Sequence, residues 1–126
     1  GTAQARFLRL QERGVIVGFE PQVDPEALGY DVHAFVTLHI TQGRLDTVAE
    51  HLATIPEVVE AHTITGDGDL WARVVARTNA HLEHVVQGII GTPGVERTRT
   101  EIALTERVAH RVLPLVRALP RGRRGA

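Results

Sequence analysis

From His33 onward the side chains alternate with a period of two: Ala34, Val36, Leu38 and Ile40 fall on one face of a predicted strand, and His33, Phe35, Thr37 and His39 on the other. Leu45, Val48, Ala49 and Leu52 then recur at helical spacing. Their run ends before Ile55-Pro56, because proline excludes helical geometry from the residue before it. Val58 to Thr65 reads as a second strand. Leu70 to Arg77 reads as a third, joined to the second by a turn at Gly66-Asp67-Gly68. Asn79 is placed to cap a helix whose apolar stripe is Leu82, Val85, Val86, Ile89 and Ile90. Gly91-Thr92-Pro93-Gly94 stops that helix, and Val95 to Glu106 reads as a fourth strand.

The middle of the chain repeats itself. Leu45, Val48, Pro56, Val58 and Thr63 recur 37 residues later as Leu82, Val85, Pro93, Val95 and Thr100, so one helix-then-strand unit is used twice. The order strand, helix, strand, strand, helix, strand predicts an α+β fold, a ferredoxin-like βαββαβ with a four-stranded antiparallel sheet. Right-handed crossovers lay both helices on the same face. If that register holds, Phe35 and Trp71 sit on the other face. Two large aromatic side chains left in water there would forgo ~1.5–3 kcal/mol each, which predicts that the sheet face dimerises.

Ahead of this body, Ala3 to Arg13 has a helical pattern that stops at Gly14, and Val15 to Phe19 reads as a linker strand. Asp24-Pro25-Glu26-Ala27-Leu28 reads as one helical turn capped by Asp24. The resulting division is 1–18 as a leading helical segment, 19–32 as linker, 33–106 as the ferredoxin-like domain and 107–126 as a basic tail. In the tail Val108, Val112, Leu115, Val116 and Leu119 suit a helix docking on a subunit edge, which Pro114 interrupts.

Composition narrows the picture. A chain of 126 residues holds one core. The absence of cysteine excludes disulfides and thiolate metal sites, and no apolar stretch reaches membrane-spanning length or forms a signal peptide, so a soluble cytoplasmic protein with no membrane partner is expected. All fourteen basic residues are arginine. Residues 1–106 hold eight of them against all fifteen acids, a charge of −7, and the tail holds the other six, a charge of +6. Such a tail suits nucleic acid or an acidic neighbouring subunit, and equally a solvated charge run.

The candidate chemistry lies in Thr65-Gly66-Asp67-Gly68-Asp69-Leu70, two carboxylates in a glycine-punctuated turn. A small zwitterion needs acceptors for its ammonium, which Asp67 and Asp69 supply, and donors for its carboxylate, which backbone N–H groups at Gly66 and Gly68 supply. The competing structural reading makes the glycines geometric and the aspartates caps of backbone groups. Thr98 and Thr100 share one face of the last strand and are within reach of an adjacent pocket, though threonine also simply suits strands. The seven histidines include pairs, His81 with His84 and His33 with His39, yet no ligand set is complete, so no metal is expected and the histidines read as surface residues. No activated serine, P-loop or dinucleotide fingerprint occurs, so no catalytic residue and no cofactor are expected.

Four runs together carry a resemblance. Arg6-Phe7-Leu8-Arg9-Leu10-Gln11-Glu12-Arg13-Gly14-Val15-Ile16-Val17-Gly18-Phe19 followed by Val23-Asp24-Pro25 and Leu28-Gly29-Tyr30-Asp31, then Ile55-Pro56-Glu57-Val58, then Thr65 to Leu70, then Pro93-Gly94-Val95-Glu96-Arg97-Thr98-Arg99-Thr100, resemble in order the Lrp/AsnC transcriptional regulators over residues 5–106. The resemblance implies an N-terminal helix-turn-helix that reads DNA, a ferredoxin-like domain that senses an amino-acid effector, and homodimers that often assemble into octamers. It assigns Thr65, Gly66, Asp67, Gly68 and Asp69 to the effector pocket at a subunit interface. It puts Arg6 and Arg9 late in the recognition helix, which makes residues 1–18 the C-terminal remnant of a winged helix-turn-helix. The family's first two helices are absent from the sequence, and a recognition helix without them is expected to bind operator DNA poorly. A stand-alone sensor or adaptor domain without DNA binding is the second reading, and a small ferredoxin-like enzyme the third.

Overall fold

The computed structural model describes residues 2–120. A four-stranded antiparallel sheet is built from β1 (Val32–Ile40), β2 (Val58–Thr63), β3 (Leu70–Ala76) and β4 (Val95–Ile102) in the order β2-β3-β1-β4. Helix α2 (Leu45–Leu52) carries the chain from β1 to β2, and α3 (Asn79–Ile90) carries it from β3 to β4. This is the ferredoxin-like arrangement expected from the hydrophobic pattern, and the two copies of the internal repeat are α2 with β2 and α3 with β4.

The core lies between the helices and one sheet face. Ala34, Val36 and Leu38 of β1 and Leu70, Ala72 and Val74 of β3 pack against Val48 and Leu52 of α2 and Leu82, Val85 and Ile89 of α3. Alanines at 34, 72 and 76 keep the sheet surface low, so the helices approach closely. Complete burial of Leu38, Val36, Val74, Val48 and Ile89 makes this layer the main hydrophobic contribution to stability.

Several boundaries differ from the pattern-based expectation, each for a local reason. Val15 to Phe19 form a bend and irregular chain rather than a strand, since among the described residues no strand lies beside them to complete a ladder. The backbone there is held instead by Val15 and Ile16 N–H groups donating to Leu10 O, at 2.9 and 3.1 Å, just past α1 (Thr2–Glu12). β4 ends at Ile102, not at Glu106, because β1 starts at Val32 and offers its last bond through His33 O to Ala103 N at 2.9 Å. The N-cap of α3 is Thr78, whose hydroxyl accepts from His81 N at 3.0 Å; Asn79 is the first helical residue. Beyond Pro120 the tail, with Arg121, Arg123 and Arg124, lies outside the described residues. Within them it forms the short helix α4 (Leu113–Arg117), with Pro114 in its first turn where a missing N–H costs nothing.

The linker is clamped to the domain by one arginine. Its single 3-10 turn, Glu26–Leu28, is closed by Asp24 Oδ1 accepting from Glu26 N at 3.0 Å, as the sequence suggests. Arg77, just after β3, donates to Leu28 O at 3.1 Å and holds its guanidinium 4.4 Å from the Tyr30 ring centre. Gly29 sits between them with φ +94°, a conformation that favours glycine; a Cβ there would come within 2.8 Å of the Arg77 guanidinium, which would have to shift.

Candidate functional site

The hairpin turn between β2 and β3 lies across the end of β1 and is knitted to it. Ile64 N donates to Asp69 O at 3.1 Å, closing the turn. Asp69 N donates to Leu38 O, and the Asp69 carboxylate accepts from Ile40 N through Oδ2, both at 2.8 Å. Asp69 thereby takes over the strand ladder where Leu38 pairs with Leu70 and β3 runs out. Gly66 and Gly68 have φ of +98° and +107°. At Gly68 the reason is also steric: a Cβ would overlap the Thr37 methyl, and the turn covers Thr37 so fully that it is one of the two buried polar side chains among the described residues.

Asp67 projects from the same turn into a cluster of basic groups. Its Oδ1 accepts from His39 Nε2 at 3.0 Å and its Oδ2 from an Arg99 guanidinium nitrogen at 3.1 Å. Since His39 Nε2 already donates to Asp67, the Arg97 guanidinium 3.4 Å from that nitrogen finds no free lone pair and acts through charge. His39 Nδ1 is buried with no hydrogen-bond partner among the described residues. The hydrogen bond from His39, followed by the attraction of His39, Arg99 and Arg97, holds the Asp67 carboxyl below the ordinary aspartate range. A carboxylate with a depressed folded-state pKa contributes stability that is present above its unfolded value and lost as the pH falls through its folded value. The carboxyl carbon of Asp67, followed by NMR from about pH 5 to pH 2, therefore titrates below an unperturbed aspartate. A midpoint at or above that reference contradicts the arrangement.

Two open clefts flank the turn. One, of about 160 Å³, is lined by Ile40, Thr41, Gln42, Gly43, Thr63, Ile64 and Asp69 with Leu45 at its side. The other, of about 280 Å³, is lined by His39, Asp67, Arg97, Thr98 and Arg99. Both are smaller and more open than the enclosed pockets that hold small molecules, so a ligand seated in either remains partly uncovered by one chain.

The residues singled out in the sequence separate here. Thr65 and Gly66 form the exposed tip of the turn, Asp67 and Gly68 bridge to the basic cluster and to Thr37, and Asp69 joins the other cleft to the end of β1. Thr98 lines the basic cleft, whereas Thr100, opposite Val36 and one pleat further along β4, lies outside both clefts. His39, Arg97 and Arg99 were absent from the predicted site. Arg97 and Arg99 stand opposite His39 and Thr37 on the β1–β4 ladder, a register that strand parity alone does not supply. Arg6 and Arg9 are exposed on α1, with Phe7 resting on Phe19 at a ring distance of 4.9 Å.

The open sheet face is more polar than the two aromatics suggested. Phe35 and Trp71 do share it, since Phe35 pairs with Arg73 and Trp71 with Thr37. Their rings stack at 5.6 Å, and the Arg73 guanidinium lies 5.2 and 5.4 Å from their centres, so both are half-buried rather than bare. Glu60 beside them accepts from His62 at 2.8 Å and from Arg73 at 2.9 Å. Those two hydrogen bonds, with the His62 bond first, hold its carboxyl below the ordinary glutamate range. His81 is not the surface residue expected. It is half-buried, with Nδ1 accepting from Arg77 N at 2.9 Å and Nε2 donating to Glu57 at 3.1 Å.

The sequence model of the Lrp/AsnC ligand binding domain matches residues 33–113, which span the sheet, both helices and the two clefts. The chain belongs to the Lrp/AsnC family. It is 37% identical over 114 residues to the HTH-type transcriptional regulator FL11 of Pyrococcus horikoshii, covering 90% of this chain and 76% of that protein. Among solved structures, E. coli AsnC superimposes with a TM-score of 0.80 at 26% identity, over 88% of this chain and 76% of that one. The feast or famine regulatory protein Rv3291c from M. tuberculosis, complexed with L-methionine, gives 0.75 at 30% identity over the same shares. This Lrp/AsnC chain is thus a transcriptional regulator, represented mainly by its ligand-binding domain, and not an enzyme. Among its described residues no helix is long and apolar enough to cross a membrane.

Proposed function

We propose that this Lrp/AsnC chain senses a free amino acid at the Thr65–Asp69 turn, in a site completed by a second subunit, and that in the full-length protein this controls DNA binding. The observation that carries the reading is the turn itself, with acceptors and donors for both ends of a zwitterion beside two clefts that one chain leaves open. Asp69 uses Oδ2 to hold Ile40 N, and its other oxygen has no hydrogen bond among the described residues, which suits an ammonium group. The N–H groups of Gly66 and Gly68 make no hydrogen bond among the described residues and suit a carboxylate. Asp67 is already matched to His39 and Arg99, so in this reading it shapes the basic cleft, and Thr98 lines it. Thr100 lines neither cleft and in this reading keeps a strand role. The similar Rv3291c protein was solved with L-methionine, which supports an amino acid as the ligand class.

The partner is a second copy meeting the sheet face around Phe35 and Trp71, whose aromatic centre and ring of Glu60, His62, Arg73, Arg99 and Glu101 have the apolar-core, polar-rim anatomy of an interface. Octamers are the further assembly to expect. Residues 1–18 are the end of the DNA-reading unit, with Arg6 and Arg9 toward DNA, 19–32 the linker, and 107–126 a basic tail; the cytoplasm is the expected compartment. A ligand acts by favouring one subunit arrangement, and only to the extent that it binds the two arrangements unequally.

Titration calorimetry with a panel of amino acids identifies the ligand. Asp69→Asn then keeps an acceptor for Ile40 N but removes the charge facing the ammonium. Loss of one charge-assisted hydrogen bond of about 1.5–3 kcal/mol weakens affinity about 10- to 100-fold. Equal affinity in wild type and variant removes Asp69 from the site, and no heat with any amino acid overturns the ligand class.

A further inference from the structure

The segments on either side of the domain are complementary to each other in both charge and apolar character. The linker, residues 19–32, carries Glu20, Asp24, Glu26 and Asp31 with no basic residue, and Phe19, Val23 and Leu28 are each more than half exposed. The arm after β4 carries Arg107, Arg111 and Arg117 against the single acid Glu106, and Val108, Val112, Leu115 and Leu119 are likewise more than half exposed. None of these three arginines forms an ion pair with a described residue. The family match ends at residue 113, so the arm from Pro114 onward lies beyond it.

We propose that the C-terminal arm of one copy docks on the acidic linker of a second copy. Within one chain both segments leave their apolar side chains uncovered, so neither serves as the other's cover in the same molecule. They leave the sheet side by side, Ile102 being paired with Ala34 and Ala103 N bonded to His33 O at 2.9 Å, so two copies that bring these sheet ends together present each arm to the other's linker. A nucleic acid would meet the arginines but leave Val112, Leu115 and Leu119 in water; an acidic, apolar protein strip covers both. The seat on a second copy also explains an arm of alternating basic and apolar residues better than a solvated charge run does.

The chain lacks cysteine, which makes the test direct. Two otherwise intact single-cysteine proteins, Val23→Cys and Leu115→Cys, one carrying a mass tag, are mixed, equilibrated and oxidised. A heterodimer then forms by a link that can only be intermolecular. The expected yield is at least about tenfold above that of Val23→Cys mixed with Glu83→Cys, whose cysteine lies on the exposed side of α3. Reversing Arg111 and Arg117 to glutamate lowers the yield, and adding Glu20→Arg and Glu26→Arg in the partner restores it. A yield no higher than the Glu83 control, or a link confined within one chain in the double variant Val23→Cys/Leu115→Cys, overturns the proposal. The proposal rests on the reading of an assembled chain, and light scattering on the same samples separates the two: a dimer without the link sinks arm docking alone, whereas a monomer sinks the sheet-face dimer as well.

Discussion

Trp71→Ala is expected to dissociate the proposed sheet-face dimer while leaving the subunit folded. Trp71 stands on the open face opposite Thr37 and His62, stacked on Phe35 and flanked by Arg73, and contributes nothing to the layer beneath the helices. Buried aromatic anchors at the centre of an interface typically cost about 2–4 kcal/mol when truncated, so the dissociation constant rises about 30- to 1,000-fold. The monomer keeps its core, because Ala72 and Val74 on the same strand face the helices and are untouched. Sedimentation equilibrium reads the association and thermal unfolding of the dilute monomer reads the fold. A variant that stays dimeric at the wild-type concentration places the interface elsewhere. The pre-existing Phe35–Trp71–Arg73 stack limits the gain, since part of the aromatic area is already covered within one chain.

Gly68→Ala is the substitution expected to damage both fold and site. A non-glycine residue at φ +107° costs about 1–3 kcal/mol in backbone strain. The added methyl would also overlap the Thr37 side chain, with Leu38 O 3.6 Å and Ile64 Cδ1 3.7 Å behind it, and overpacking of this kind costs about 1–3 kcal/mol more. The combined loss of about 2–6 kcal/mol is a large part of the stability of a domain this size. Relief of the clash requires the turn to lift from β1, which pulls Asp69 from Ile40 N and Asp67 from His39 together. Denaturant unfolding with linear extrapolation measures the first effect, and amide exchange at Ile40 the second. Wild-type stability together with wild-type protection at Ile40 contradicts the packing of the turn on Thr37. Gly66→Ala is the control: it has a similar φ of +98° but nothing within 4 Å of its Cβ, so it carries strain without collision.

The strand-and-helix order was legible because the period changes are clean. Ala34, Val36 and Leu38 alternate, and Val48 with Leu52 and Val85 with Ile89 recur at one helical turn; all of them are buried. The linker turn at Asp24-Pro25 and the stop at Gly14 were legible from residue type alone, since capping and left-handed geometry are local chemistry. What escaped the pattern were features decided by a partner. Val15 to Phe19 have strand composition and, among the described residues, no strand beside them; β4 stops where β1 stops; His81 is held from three directions by Arg77, Glu57 and the Tyr30 ring.

The same division runs through the site. The acidic glycine turn, its position between two strands and its likeness to the Lrp/AsnC motifs are properties of one short segment, and the sequence by itself determined them. The tertiary structure decided what each carboxylate faces. Asp69 binds the backbone of Ile40, 29 residues away, Asp67 meets His39 and Arg99 at separations of 28 and 32, and Thr98 reaches a cleft that Thr100 does not. Local periodicity reports which face a side chain takes, but a strand's register against its neighbour is set by the packing of the whole layer, and a shift of one residue would exchange every partner named here.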